Sequence, residues 1–195
     1  MIFSLPFHIT RYFRPTILEV FSLSNAQLGD IFATYGVVAM LAYFPGGALA
    51  DRFSAKNLIV VSLLTTAVGG VVFANISNAQ WLIWLYGFWG LTTILLFWAA
   101  LIKATRDWGG ADNQGIAFGI MDGGRGLVSA LVATAAVAVF AFYMPTENIT
   151  APARLHAIQM VIYFYAAMTA LAAVLIYWKL PMDHHQQAAS ETLMD

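Results

Sequence analysis

Apolar residues run along this chain in long blocks separated by short polar knots. Five blocks approach or exceed the roughly 20 residues that an α-helix needs to cross a bilayer core: 28–50, 57–74, 80–102, 116–143 and 156–178. A sixth, residues 1–21, is interrupted by Arg11 and Arg14. Unbroken runs of this length predict helices, since barrel strands would alternate every second residue. The connections SLSNAQ, DRFSAKN, NISNAQ, RDWGGADNQG and MPTENITAPAR are short and rich in turn formers. Residues 179–195 form a polar tail expected to be disordered. The pattern therefore predicts an all-α integral membrane protein, a bundle of six transmembrane helices over residues 1–178.

Composition agrees with that pattern. Of 195 residues, 61% are hydrophobic and 10% charged, against about 45–50% and about 25% in a soluble domain. A net charge of −1 offers no basic surface for nucleic acid. With no cysteine, disulfides and thiolate metal sites are excluded. No H-E-x-x-H or G-x-S-x-G pattern occurs, so neither an enzyme nor a cofactor is expected. The apolar MIFSLPFHI precedes its positive residues, the reverse of a secretory signal, and no cleavage is expected.

Loop charges set the orientation. With six spans and the N-terminus inside, Arg52, Lys56, Lys103, Arg106 and Lys179 fall on the cytoplasmic side and Arg154 alone on the other. Both termini are then cytoplasmic, in the inner membrane. Trp81, Trp108, Tyr143, Tyr177 and Trp178 fall near span ends, facing membrane lipid at the interface.

Charges within the blocks are the candidate chemistry. Arg11, Arg14 and Arg125 each lie about 10 residues into an apolar block, near mid-depth at about 1.5 Å per residue. Facing lipid, each is costly, so each is expected to face protein or a wet cavity. Arg11 and Arg14 are spaced to share a helix face, as are Asp122 and Arg125. Gly115, Gly119, Gly123 and Gly126 make a small-residue stripe expected to pack on another helix. Two readings follow. Asp122 pairs with an Arg of the first block as scaffolding, or the excess of cations over one acid forms a site for a small anion. Among the remaining polar residues, His8 and His156 read as packed or interfacial, and Glu19 and Asp30 as solvated. Asn148-Ile149-Thr150 reads as a chance sequon match, and Pro15 as a kink in the first block. Tyr12, Tyr35, Trp89 and Trp98 are packing residues or cavity lining.

The knot PGGALADRFSAKN, residues 45–57, is more specific. Gly46 and Gly47 would let two helices approach, and Arg52 and Lys56 suit the headgroup level. The spacing Gly47-x-x-x-Asp51-Arg52, with Lys56 after it, resembles the signature between helices two and three of the major facilitator superfamily. Ser54 and Ala55 stand where that signature usually has Gly and a basic residue. The upstream LSNAQLGDIFATYGVVAMLAYF resembles the same family, and ALIKATRDWGGADNQGIAFGIMDGGRG is similar to its helix four–five link. The resemblance implies a secondary transporter working by alternating access, with Gly47, Asp51, Arg52 and Lys56 as a cytoplasmic gate. It implies that Arg11, Arg14, Asp122 and Arg125 line a central cavity. Proton-coupled members often carry an Arg in helix four; Tyr86 stands near that place here. Members have about twelve spans, two six-helix halves each of two three-helix repeats. The chain reads as an N-terminal half, a fragment or a protomer that pairs with a C-terminal half or a second copy.

Overall fold

The computed structural model describes residues 5–145, 147 and 150–180. Residues 1–4, Asn148 and Ile149 of the sequon-like triplet and residues 181–195 of the polar tail lie outside the described residues. The described residues contain no strand. They form α1 (Leu5–Tyr12), α2 (Arg14–Val20), α3 (Asn25–Arg52), α4 (Ala55–Asn75), α5 (Gln80–Gly109), α6 (Gln114–Tyr143) and α7 (Ala151–Lys179). Helices α3 to α7 are each long and apolar enough to cross a membrane, matching the five clean blocks of the sequence.

The first block differs. Its described part is not one helix but two short ones of 8 and 7 residues, broken at Phe13. Pro15 causes the break: it has no N–H for the Arg11 carbonyl and its ring crowds that turn. Phe13 takes φ −113° and ψ 32°, outside the helical basin. Both pieces stay anchored by apolar side chains, with Ile9, Phe13 and Ile17 buried.

The helices also run further than the apolar blocks. Residues 25–27, expected in a connection, are the first turn of α3. There the Ser24 hydroxyl accepts from the Gln27 N–H while the Gln27 side chain accepts from the Ser24 N–H, a capping box. Asp107 and Trp108 lie inside α5, which ends where Gly110 takes φ 62°. Thr150 caps α7, which starts at Ala151, five residues before the expected start. The charged knot shrinks to a two-residue link, Phe53–Ser54, with Asp51 and Arg52 in the last turn of α3 and Lys56 in the first of α4.

Helix α4 is the centre of the bundle. Eleven of its 21 residues are buried, and it packs along α7, with α5 on another side. Helix α3 lies against α5, α6 against α7 and the end of α5, while α1 rests on α7 and α4. Glycines mark the closest approaches. A Cβ on Gly46 would meet the Leu95 and Ile94 carbonyl oxygens at 3.2 and 3.3 Å, and one on Gly69 would meet Trp89 Nε1 at 2.5 Å. An aromatic cluster fills the space beside Gly69: Trp89 packs edge-on to Tyr86 at 5.2 Å and to Phe73 at 5.7 Å. A second core of Ala50, Leu58, Ile59, Leu63 and Phe97 closes the Asp51 end.

Midway along α5, Thr92–Trp98 winds as a π-helix. Its wider turn leaves the backbone in need of outside partners. Ser62 Oγ of α4 donates to the Thr92 carbonyl at 2.7 Å, and the Thr66 and Thr92 hydroxyls share a hydrogen bond at 3.2 Å. Tyr35 of α3 meets Thr93 at 3.1 Å. A buried polar layer thus ties α3, α4 and α5 together at this level.

Candidate functional site

Arg125 lies about 17 Å along α6, a helix about 45 Å long, well inside an apolar span. Its Nη2 is 3.0 Å from Asp122 Oδ1, the i,i+3 neighbour, and its guanidinium stands 5.9 Å from the centre of the Trp98 ring on α5. The pair is accessible, with side chains 33% exposed for Arg125 and 58% for Asp122. Tyr12, Asp122, Arg125, Gly126 and Ser129 line a cavity of about 450 Å³ between α1 and α6. Asp122 therefore pairs along its own helix.

The two arginines of the first block part company. The break at Phe13 destroys the shared face that one continuous helix would have given them. Arg14 donates from Nε and Nη2 to Asn25 Oδ1, at 3.0 and 2.8 Å, and binds α2 to the start of α3. Arg11 lies within electrostatic reach of the Tyr35 and Tyr86 hydroxyls, toward the side of α3 and α5. At the same end as Arg14, Glu19 forms an ion pair with Arg154, where the sequence suggested a solvated acid. Tyr86, at the place of the family's helix-four Arg, is fully buried and donates to Thr10 Oγ1 at 3.0 Å.

The glycine stripe of α6 meets no other helix among the described residues. A Cβ added at Gly115, Gly119, Gly123 or Gly126 finds no atom within 4 Å. Only Ala117, Val132 and Ala136 of the 30 residues of α6 are buried. The helix packing expected of the stripe falls instead on Gly46, Gly69, Gly70 and Gly90. Gly47, paired with Gly46 in the sequence reading, is open too.

At the Asp51 end a groove of about 230 Å³ runs between α3 and α5. Gly47 and Asp51 line one wall, and Trp98, Lys103 and Arg106 the other. Lys103 Nζ donates to the Ala50 carbonyl at 3.0 Å, satisfying an end carbonyl of α3 and opposing its negative dipole end. Among the described residues Asp51 makes no ion pair within 4.0 Å. Lys56 points elsewhere, its Nζ 4.8 Å above the Tyr177 ring of α7, and Arg52 is exposed. Lys103 and Arg106 entered the sequence reading only as orientation charges. Their i,i+3 spacing at the close of an apolar block was the signal that they share a face. Among the described residues no cluster of His, Cys, Asp and Glu could hold a metal ion.

The chain is similar to the inner membrane protein YqcE of Escherichia coli K12, 26% identical over 167 residues, covering 86% of this chain and 38% of that protein. It is similar to the inner membrane protein YihN of the same organism, 28% identical over 64% of this chain and 30% of that protein. An uncharacterized MG294 homolog of Mycoplasma pneumoniae is 29% identical over 58% and 26%. The chain thus spans less than two-fifths of the length of these curated relatives. No solved structure matches it. The model of the Major Facilitator Superfamily matches residues 1–194, nearly the whole chain. With five apolar spans, the charged knot and this match together, the chain belongs to the Major Facilitator Superfamily, whose members are typically membrane transporters rather than enzymes.

Proposed function

We propose that this chain is the N-terminal bundle of a secondary active transporter that moves a small anionic solute by alternating access. Its setting is the inner membrane, as the names of its relatives suggest, with both termini in the cytoplasm. In this reading α1 and α2 together act as the first of six spans, arranged as two three-helix repeats. The observation that carries it is Arg125: a guanidinium deep in an apolar helix, held on Trp98, opening on a cavity of about 450 Å³. A cation so placed is costly unless it has work to do, and its planar fork suits an oxyanion. The groove of Asp51, Lys103 and Arg106 supports the gating half of the proposal, because its walls bring one acid of α3 and two cations of α5 to the same end of the bundle. Gly47, Asp51, Arg52 and Lys56 remain the gate residues of this reading, with Lys103 added.

The test is thermal unfolding of the chain in lipid nanodiscs with acetate, benzoate, phosphate or sulfate, against chloride at equal ionic strength. At least one of these anions raises the melting temperature of the wild type. None does so for Arg125→Ala. A wild type indifferent to all four, or an Arg125→Ala variant that responds as the wild type does, sinks the reading.

A second reading concerns what completes the site. The chain covers 38% of YqcE, and the glycine face of α6 is open. Both favour a chain that transports only with a C-terminal half or a second copy. Counterflow by the chain alone in liposomes would contradict that requirement.

A further inference from the structure

Arg125 borders two cavities. Besides the one toward Tyr12, it lines an apolar cavity of about 240 Å³. Leu63, Phe97, Leu101, Met121, Val128 and Ile176 line that space, drawn from α4, α5, α6 and α7. Its wall is almost wholly carbon, and Arg125 is its one charged residue among those described. A lone cation in the wall of an apolar chamber is the complement of an amphipathic anion. An inorganic ion would leave the chamber without a partner.

The pairing with Asp122 sets the charge. Arg125 keeps one carboxylate at 3.0 Å, so part of its field is already spent. A monoanion replaces or shares that partner at little cost. A dianion such as sulfate meets Asp122 as a like charge close by, which disfavours it. The Trp98 ring lies 5.9 Å from the guanidinium, and Arg125 borders both cavities. At about 240 Å³ the chamber suits a phenyl ring with a short linker or an alkyl chain of comparable bulk.

We infer that the anion recognised here is a monovalent organic carboxylate with an apolar body, its carboxylate on Arg125 and its body in the Leu63–Phe97–Met121 chamber. This rests on the reading of Arg125 as the anion-binding cation. The occupant is a solute rather than a bilayer acyl chain because the chamber's charged residue sits deep in the span, where a lipid tail brings no charge for Arg125.

Equilibrium binding of acetate, butyrate, phenylacetate and sulfate to the full chain in nanodiscs tests it, with benzyl alcohol as the uncharged control. Affinity rises from acetate through butyrate to phenylacetate, by about fourfold for each methylene buried. Sulfate binds more weakly than acetate, and benzyl alcohol more weakly than phenylacetate. Met121→Trp, which fills the chamber, lowers phenylacetate affinity at least tenfold more than acetate affinity. Leu101→Ala, which enlarges it, shifts the preference to longer acids and keeps the proposal testable should Met121→Trp fail to fold. Affinities that ignore the apolar body, as a chamber already filled by lipid would give, overturn the inference. So does a preference for sulfate. Carboxylate binding that survives Arg125→Ala overturns the underlying anion reading instead.

Discussion

Gly90 sits where α5 crosses α3, with its Cα against the neighbouring backbone. A Cβ there would lie 2.7 Å from the Tyr35 carbonyl oxygen, 3.2 Å from Val38 Cβ and 3.3 Å from Ala39 N. Ordinary contact begins at 3.4 Å, so Gly90→Ala is 0.7 Å too close to an atom that cannot rotate away. The two helices have to separate by about that distance. Overpacking of this kind costs about 1–3 kcal/mol. Separation also stretches the 3.1 Å bond between Tyr35 and Thr93, a further loss of about 1 kcal/mol. Alanine returns about 1 kcal/mol of helix propensity. The net expectation is a loss of about 2 kcal/mol. Gly126→Ala is the matched control: its added Cβ meets nothing within 4 Å, leaving only the propensity gain of at most about 1 kcal/mol. Reversible unfolding of the isolated chain by SDS in mixed micelles, followed by far-ultraviolet circular dichroism, measures both. A Gly90→Ala midpoint equal to wild type, or a Gly126→Ala loss as large as the one expected at Gly90, would refute the reasoning.

Ser62→Ala leaves the Thr92 carbonyl of the π-helix without its buried donor and should cost about 1–3 kcal/mol, against about 1 kcal/mol for Thr92→Val, by the same unfolding assay. Pro15→Ala gives the Arg11 carbonyl an N–H partner. Amide exchange around residues 13–17 should slow about fivefold, the effect of one net hydrogen bond of about 1 kcal/mol. Unchanged exchange would mean that something other than Pro15 breaks the segment. Asp122→Asn removes the carboxylate that competes for Arg125. The pair is exposed and so worth at most about 1 kcal/mol, which should tighten carboxylate binding up to about fivefold by titration.

The five long spans were legible because length and unbroken apolarity are sufficient signals for them. The ends were less so. Asp107 and Trp108 are helical yet polar or interfacial, and a hydropathy block stops where such residues begin. The start of α3 was readable after all, in Ser24 and Gln27, but as capping chemistry. The sequence LTTILLFW carries no mark of its π-helical turn, which depends on Ser62 and Thr66 arriving from α4. The glycines show the limit most clearly. Gly115 to Gly126 stand out in the sequence because they line up on one face. Gly46, Gly69 and Gly90 are not aligned within one helix, and only the rotation of each helix about its axis decides which of them touches a neighbour. In the candidate site, Arg125 and Asp122 could be read as a pair from their spacing. The separation of Arg11 from Arg14 needed the break that Pro15 imposes.

The contrast between α4 and α6 has a consequence for mutational tolerance. A substitution library scored only by whether the isolated chain folds would find the buried face of α4 intolerant and the glycine edge of α6 permissive. The same library scored by uptake in the assembled protein need not agree. Positions such as Gly119 and Gly123, silent in the first map and intolerant in the second, would trace the footprint of whatever α6 meets. Subtracting one map from the other thus separates residues that make the bundle from residues that the bundle presents.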